Sequence, residues 1–593
     1  MAKHPRKSRD RAAKIDPPSK DALPADSSSR EASAVGPSPG DARSTQSPAK
    51  RAAELDPWVR YLALSALSGV LWFLACANFD IWPLAWVAMV PQMYVSRRCR
   101  TARGAFLYAW FGGTVAVTGG FYWITELLTR FAHFSFPLAA ALCVLLCAYQ
   151  SLPFAFSAFI TRRVTERSRI PTSLIAPLSM VAFEFALPML FPFHIGITQA
   201  WQIHVIQIAD VTGALGVSAL LMMVNGAIYD LWTDRANRGR SIALSAGLLA
   251  LALAYGHVRI VQTDRARARS PQLRVGLVQP NVGFGDKAID HPENAGNQLT
   301  DLQDASVRVE RAGAELVVWP ETAYPYTIDR RAVRDLPDGD PDRMRRGLTV
   351  PLIAGAVTRD YTRRAPGQRR RLPYNSALMV DRNGRITGRF DKVFLLLFGE
   401  YTPGRESFAL IDRLLPDTAG QFARGTSFNT LPFTASDGRV WRLAPMICYE
   451  DILENIGRQL GRLHPHLIVN ITNDAWFGAT SEPWEHLALA VFRAVELRVD
   501  MVRAVNTGVS AFIDANGRVF ARTYSVDPDR TPHRPDGIVR TVALREGGHT
   551  VFARVGNVFP ISCGLATLWL WMIKPWWRRR RGAAAPAETR GGP

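Results

Sequence analysis

The chain of 593 residues has only six cysteines, and their distribution excludes a disulfide-stabilised fold for its long polar part. Residues 261–550 contain Cys448 alone, so this part cannot hold an internal disulfide. A single unpaired cysteine in a polar domain is typical of a reactive thiol, although a free cysteine is more often a small buried apolar side chain. The other five lie in apolar stretches or a basic loop: Cys76, Cys99, Cys143, Cys147 and Cys563.

Large apolar residues are scarce before Trp58, and acids are scarce in the apolar stretches that follow. Residues 1–56 cannot bury enough surface to fold, which predicts a disordered basic tail. No cleavable signal follows this tail, so we expect the first apolar segment to be an uncleaved anchor. The apolar stretches carry only Glu126, Glu184 and Asp230, which does not favour a transporter.

The formal net charge of +20 does not indicate nucleic-acid binding, because the basic residues are concentrated in the tails and in short loops beside apolar segments. We predict eight membrane spans, since crossing a bilayer takes about 20 apolar residues. They are 59–78, 81–95, 104–128, 137–160, 173–193, 211–232, 241–258 and 555–573.

Arginine-rich loops follow every second segment, at 97–103, 162–169, 235–240 and 578–581, whereas the alternate short loops carry only Arg130. The positive-inside rule then places both tails, 1–56 and 578–593, in the cytoplasm. The predicted domains are a transmembrane bundle of about seven helices (57–260), an exported domain (261–550) and a C-terminal span (551–577).

Residues 261–550 alternate between strand and helix patterns, which predicts a layered α/β domain. The predicted strands are 273–279, 315–319, 351–356, 376–381, 440–447, 466–471, 501–506 and 510–514, and the predicted helices are 297–312, 452–463 and 484–498. Asn383-Gly384 and Asn516-Gly517 predict hairpin turns.

Two of these strands end in residues suited to nucleophilic catalysis, and a lysine that lies between them in the chain could assist. Cys448 lies between a strand and a helix, where backbone N–H groups are expected to favour its thiolate. Glu321 follows Trp319-Pro320 and is a candidate base for the thiol, and Lys392 is a candidate oxyanion donor. Taken alone, each of the two is more often a solvated surface charge.

The order of three motifs changes that interpretation. Trp-Pro-Glu321, Phe-Asp-Lys392 before Phe-Gly-Glu400-Tyr, and Cys448-Tyr-Glu resemble the nitrilase (carbon–nitrogen hydrolase) superfamily. With the apolar spans, the chain from about Trp58 to Trp577 is similar to the bacterial apolipoprotein N-acyltransferases. The resemblance implies an α-β-β-α sandwich on a polytopic helical membrane bundle, with Glu321, Lys392 and Cys448 as the catalytic residues.

The resemblance also implies supporting residues. Glu400, Tyr449, Glu450 and Trp476 match positions that orient the lysine, flank the nucleophile or line the pocket. Arg493, Arg503 and the 506–508 motif match positions that we interpret as structural. The family commonly has a tryptophan in the loop after Asn281, where this chain has only Phe284.

The implied reaction is acyl transfer without metal or cofactor at the bacterial inner membrane, with the catalytic domain in the periplasm. A phospholipid is the implied donor, Cys448 carries the thioester, and the acceptor is the α-amino group of a diacylated apolipoprotein. A membrane-tethered amidase or nitrilase and a non-enzymatic scaffold with a decayed domain remain alternatives. The apolar run 393–398 is expected to be a buried strand or, alternatively, an arm that contacts lipid.

Overall fold

The computed structural model describes residues 57–168, 170–236, 238–283, 292–361, 372–402, 422–523 and 535–573. The predictions for the two tails and for the loop with Phe284 lie outside these residues.

The first part of the described chain is helical, and helices return at its end. The helices are Pro57–Phe73, Val90–Arg98, Ala102–Gly120, Trp123–Phe131, Phe136–Gln150, Leu152–Arg167, Thr172–Ala186, Ile203–Ile206, Ala209–Thr212, Leu215–Thr233, Arg238–Arg269, Val551–Val555 and Val558–Leu568. Short 3₁₀ turns lie at Trp82–Trp86 and Ile195–Gln199, and the last helix ends in a π turn, Trp569–Ile573.

Three helical segments among the described residues are long and apolar enough to cross a membrane, judged by length and composition. They are Leu215–Thr233, Arg238–Arg269 and Phe136–Arg167, in which the helices Phe136–Gln150 and Leu152–Arg167 follow one another directly. Two predicted spans have a different form. Residues 81–95 form a 3₁₀ turn and the nine-residue helix Val90–Arg98, about 14 Å long. The span 104–128 was too long, because the helix ends at Gly120 and a separate helix, Trp123–Phe131, follows. The eight-span arrangement stays a prediction.

The α/β part contains two sheets. Its strands are β1 (Gln272–Gln279), β2 (Leu316–Val318), β3 (Tyr324–Asp329), β4 (Leu352–Arg359), β5 (Tyr374–Val380), β6 (Ile386–Asp391), β7 (Leu431–Thr434), β8 (Val440–Ile447), β9 (Leu467–Thr472), β10 (Met501–Val505), β11 (Ala511–Ile513), β12 (Val519–Arg522) and β13 (Asp536–Ala543). The first sheet has the order β13-β1-β2-β4-β5-β6, with β3 paired to β4, and the second has the order β12-β11-β10-β9-β8-β7.

Alternate side chains of the first sheet pack in opposite directions, as a strand requires. In β2, Leu316 and Val318 belong to the core shared with the second sheet, whereas Val317 packs with the helix Ala295–Arg311. The helices Glu454–Gly461 and Glu482–Leu497 bury apolar side chains in the core of the second sheet. The result is the predicted order of helix, sheet, sheet and helix.

The predicted strands all exist, β8 with the predicted ends and the others with shifted ends, and both hairpins form, β5 with β6 and β11 with β12. The sequence does not indicate three strands: β7 and β13, which lie at sheet edges, and β3, which pairs with β4. Pro432 in β7 is tolerated there because an edge strand has one row of backbone groups outside the ladder.

Candidate active site

The three predicted catalytic residues follow the ends of three strands and line one cavity of ≈ 220 Å³. Glu321 follows β2, Lys392 follows β6 and Cys448 follows β8. The cavity wall also includes Glu400, Trp476 and several apolar side chains. The structure therefore brings together residues that are more than 50 positions apart in the sequence.

Lys392 is held between two carboxylates inside the protein. Its side chain is 1% exposed, and Nζ lies 3.2 Å from Glu321 Oε1 and 2.8 Å from Glu400 Oε2. Burial disfavours the ammonium, but the two carboxylates together outweigh burial and hold the pKa of Lys392 well above its usual value. Lys392 is thus a permanent cation at the cavity wall.

Asn375, at the start of β5, completes this group and was not predicted from the sequence. Its Nδ2 donates to Glu321 Oε1 at 2.6 Å and to Glu400 Oε1 at 3.0 Å. One amide therefore fixes the spacing of the two carboxylates that flank Lys392. The only signal in the sequence was a polar residue directly before a predicted buried strand.

Cys448 differs from expectation in its ionisation. Burial, together with the charge of Glu321, raises the pKa of its thiol to about 12, and Lys392 and His486 only partly oppose this rise. The predicted thiolate is therefore wrong, because burial and the charge of Glu321 outweigh the opposing charges of Lys392 and His486. Cys448 also has φ +50° and opens a 3₁₀ turn, Cys448–Ile452, where the sequence predicted a helix from 452.

Glu450 stabilises the turn that carries Cys448. Its carboxylate accepts hydrogen bonds from the N–H groups of Ile447 at 2.9 Å, Val393 at 2.7 Å and Phe394 at 3.0 Å. Burial raises the pKa of Glu450 to about 7, against these three donors. Glu450 therefore joins the nucleophile turn to the segment directly after Lys392.

Because Glu450 takes two of its backbone N–H groups, the apolar run 393–398 does not form the expected strand. Val393 is buried, whereas Phe394 is 40% exposed and Phe398 is 49% exposed. Phe398 also has φ +66°. The buried-strand interpretation is wrong, and the segment is an exposed apolar loop.

The two aromatic residues of the predicted site have different surroundings. Trp476 lines the cavity and stacks on Phe131, with ring centroids 4.6 Å apart. Phe131 comes from the helical part of the chain and was not predicted as a cavity residue. Tyr449 is not among the lining residues; its hydroxyl donates to the Leu190 carbonyl at 2.7 Å. Tyr449 thus connects the nucleophile turn to the helical part.

The residues that the resemblance assigns to the core are buried. Arg493 donates to Glu496 Oε1 at 2.7 Å and to the Ile452 carbonyl at 3.2 Å. Asn506 donates to Asn473 Oδ1 at 2.8 Å. Arg503 joins a buried charge cluster that sequence reasoning missed, together with Asp451, Asp474, Glu482 and His486.

Two groups among the described residues have the spacing of metal ligands: His464, Glu546 and His549, and Asp474, Glu482 and His486. None of these residues lines the cavity with Cys448. In the first group, Glu546 already accepts from Arg442 at 3.0 Å, and in the second, Asp474 pairs with Arg503.

Two family models match the chain. The model of the N-terminal domain of apolipoprotein N-acyltransferases matches residues 68–227, and the carbon-nitrogen hydrolase model matches residues 274–528. The first match falls in the helical part, and the second covers most of the α/β part and all three predicted catalytic residues. A solved structure of Saccharomyces cerevisiae Nit3, a member of the nitrilase superfamily, is 16% identical over 46% of this chain and 90% of its own, but its TM-score of 0.30 is too low to carry an argument.

Curated relatives resemble the chain over most of its length. An apolipoprotein N-acyltransferase of Geobacter metallireducens is 31% identical over 516 residues, which are 84% of this chain and 92% of the relative. One of Brucella melitensis is 31% identical over 83% of this chain and 94% of its own, and one of Bdellovibrio bacteriovorus is 28% identical over 77% and 84%. The chain belongs to the apolipoprotein N-acyltransferase family.

Proposed function

We propose that the protein transfers an acyl chain from a membrane phospholipid to the α-amino group of the N-terminal diacylglyceryl-cysteine of apolipoproteins. The name of the relatives supports the acceptor, and the phospholipid donor is our inference. The observation that carries the proposal is the single cavity lined by Glu321, Lys392 and Cys448. Its wall includes Phe131 from the helical part, so the helical part and the α/β part both line the site.

The reaction begins with a neutral thiol, because the pKa of Cys448 lies at about 12. As the sulfur attacks the ester carbonyl carbon, its proton passes to Glu321, which acts as general base. Lys392 stabilises the oxyanion, together with a backbone N–H after Cys448. Glu321 then returns the proton to the departing lysophospholipid oxygen, which leaves a thioester on Cys448.

In the second half, the amine of the acceptor attacks the thioester carbonyl. Glu321 takes the amine proton and delivers it to the leaving sulfur, so the enzyme returns to its starting state with a new amide bond. Glu400 and Asn375 hold the side chains of Lys392 and Glu321 in position during both halves of the reaction. No step requires a metal or a nucleotide, since aminolysis of a thioester to an amide is favourable.

We place the enzyme in the bacterial inner membrane, with residues 261–550 in the periplasm. The three long apolar helices and the alternating basic loops support this arrangement. In the proposed domain order, a seven-helix bundle (57–260) and a final span (551–577) flank the catalytic domain.

The proposal is tested by mass spectrometry of the full-length protein incubated with phospholipid alone. We expect an acyl adduct on Cys448, which a diacylated peptide then discharges as N-acylated product. Cys448→Ala is the control and should give neither. If the adduct instead decays to free fatty acid at the same rate with and without peptide, the membrane-tethered hydrolase is the better description.

A further inference from the structure

A buried cluster of charges adjoins the turn that carries Cys448. Its members come from four elements: Asp451 from that turn, Asp474 from the turn Asp474–Phe477, Glu482 and His486 from the helix Glu482–Leu497, and Arg503 from β10. All five are at most 6% exposed, and water therefore screens their charges very little.

His486 lies between carboxylates on both sides of its ring. Its Nε2 is 2.8 Å from Asp451 Oδ1, and its Nδ1 is 3.1 Å from Asp474 Oδ1 and 3.4 Å from Glu482 Oε1. A neutral imidazole has one N–H, so its other nitrogen would point a lone pair at a carboxylate oxygen. Only the imidazolium donates on both sides.

Arg503 shares the same two aspartates from the opposite direction. Its Nη2 lies 3.2 Å from Asp474 Oδ2, and its Nε lies 3.6 Å from Asp451 Oδ2. Arg503 thus supplies one positive charge against two aspartates, with Glu482 as a third acid whose pKa burial raises to about 7. Charge balance within the cluster therefore favours a protonated His486.

The cluster connects two walls of the catalytic cavity. Asp451 is three residues after Cys448 in one turn, and Asp474 directly follows Asn473, which lines the cavity. The left-handed backbone at Cys448 is a conformation that the surrounding structure must hold in place. His486 hydrogen-bonds to both turns at once, and Arg503 lies within ion-pair distance of both.

We propose that His486 is a positioning residue for the acyl transfer, a buried imidazolium that holds the nucleophile turn and favours negative charge on the Cys448 sulfur. His486 acts through its hydrogen bond to Asp451 and through the electric field of its positive charge, and it does not contact the substrate. The proposal rests on the proposed function only in taking Cys448 as the nucleophile. The opposing effect of His486 on the pKa of Cys448 agrees with it.

The test measures how fast iodoacetamide alkylates Cys448 as a function of pH in the full-length protein, read by mass spectrometry of the peptide that contains Cys448. His486→Gln removes the positive charge while the neighbouring aspartates remain. A neighbouring charge shifts a pKa by roughly 1–3 units, and we take the low end because Asp451 intervenes. At pH 8 the alkylation rate should then fall about tenfold, since the thiolate is the reactive form.

His194→Gln is the matched control. His194 is also buried and packs edge-on against Phe492, which lies in the helix that carries His486, with ring centroids 5.0 Å apart. It should lower thermal stability without moving the pH profile of alkylation. If both His486→Gln and His194→Gln show the wild-type pH profile of alkylation, His486 is merely structural and the proposal is wrong.

Two further measurements keep the proposal testable if His486→Gln does not fold. Nitrogen-15 NMR of wild-type protein with labelled histidine should show one of the eleven histidines doubly protonated at pH 9. Spectra in which all eleven histidines are neutral would overturn the proposal. A stoichiometric metal ion bound at Asp474, Glu482 and His486 would also overturn it. Alkylation needs neither phospholipid nor acceptor, so failure of the proposed acyl transfer would be seen separately.

Discussion

Replacing Lys392 with methionine should destabilise the protein by an amount that depends on pH. The ammonium is 1% exposed and lies 3.2 Å from Glu321 and 2.8 Å from Glu400. Methionine retains the apolar stem of the side chain and removes only the charge. Two buried carboxylates then remain, both bonded to the same amide of Asn375.

The magnitude follows from the loss of one partner of a buried ion pair, which costs about 3–5 kcal/mol. In the variant, repulsion raises the pKa of one carboxyl in the folded protein above its value of about 4.3 in the unfolded chain. The folded state then binds more protons than the unfolded state between these two values, so stability falls as the pH rises through this window. The deficit against wild type should be small at pH 5 and full at pH 8.

Thermal unfolding of the full-length protein in detergent at both pH values measures this deficit. The double variant K392M/E400Q removes the second charge and should recover more than half of the loss at pH 8. Acyl transfer should stay about 10²–10³-fold slower in both variants, because the oxyanion donor is absent in each. A deficit that is equal at pH 5 and pH 8, or that E400Q enlarges, would refute this account of the site.

Four other outcomes are expected. Cys448→Ser should be nearly as inactive as Cys448→Ala, because a carboxylate base is poorly matched to a hydroxyl of far higher pKa, and adduct formation on phospholipid measures this. Glu321→Gln should form the adduct at least tenfold more slowly, since the thiol proton has no acceptor. Reporters fused after Arg240 and after Arg267 should be active on opposite sides of the inner membrane. Removal of residues 2–50 should leave activity nearly unchanged, as an assay of the purified truncated protein would show.

The sequence was sufficient to predict the α/β layers, because buried stretches such as residues 443–447 within β8 are continuous apolar runs. Glu321, Lys392 and Cys448 were selected by the order of their motifs and by the family resemblance, and the structure places them in one cavity. Asn375 could not be selected, because its role depends on β5 lying between β4 and β6, which is a property of the sheet order. His486 reads as an ordinary residue of an apolar helix until Asp451 and Asp474 are placed beside it.

Two errors have the same physical origin. The run 393–398 has strand composition, but two of its first N–H groups bond to the Glu450 carboxylate, which removes them from any ladder. Cys448 lies at a position where backbone geometry favours a thiolate, but its burial raises the pKa of the thiol and so favours the neutral form. In both cases a long-range contact outweighs a local preference, and no local pattern reports such contacts.

The helix Glu482–Leu497 shows why the site needs the helical part of the chain. The helix packs on the second sheet, carries Glu482 and His486 of the buried cluster, and also bonds to the helical part. Trp123 Nε1 donates to Glu485 Oε2 at 3.0 Å, and the Ala214 N–H donates to Glu496 Oε1 at 3.2 Å. Burial raises the pKa of both glutamates to about 8, which is acceptable because these donors replace water. The helical part is therefore bonded directly to the helix that carries His486.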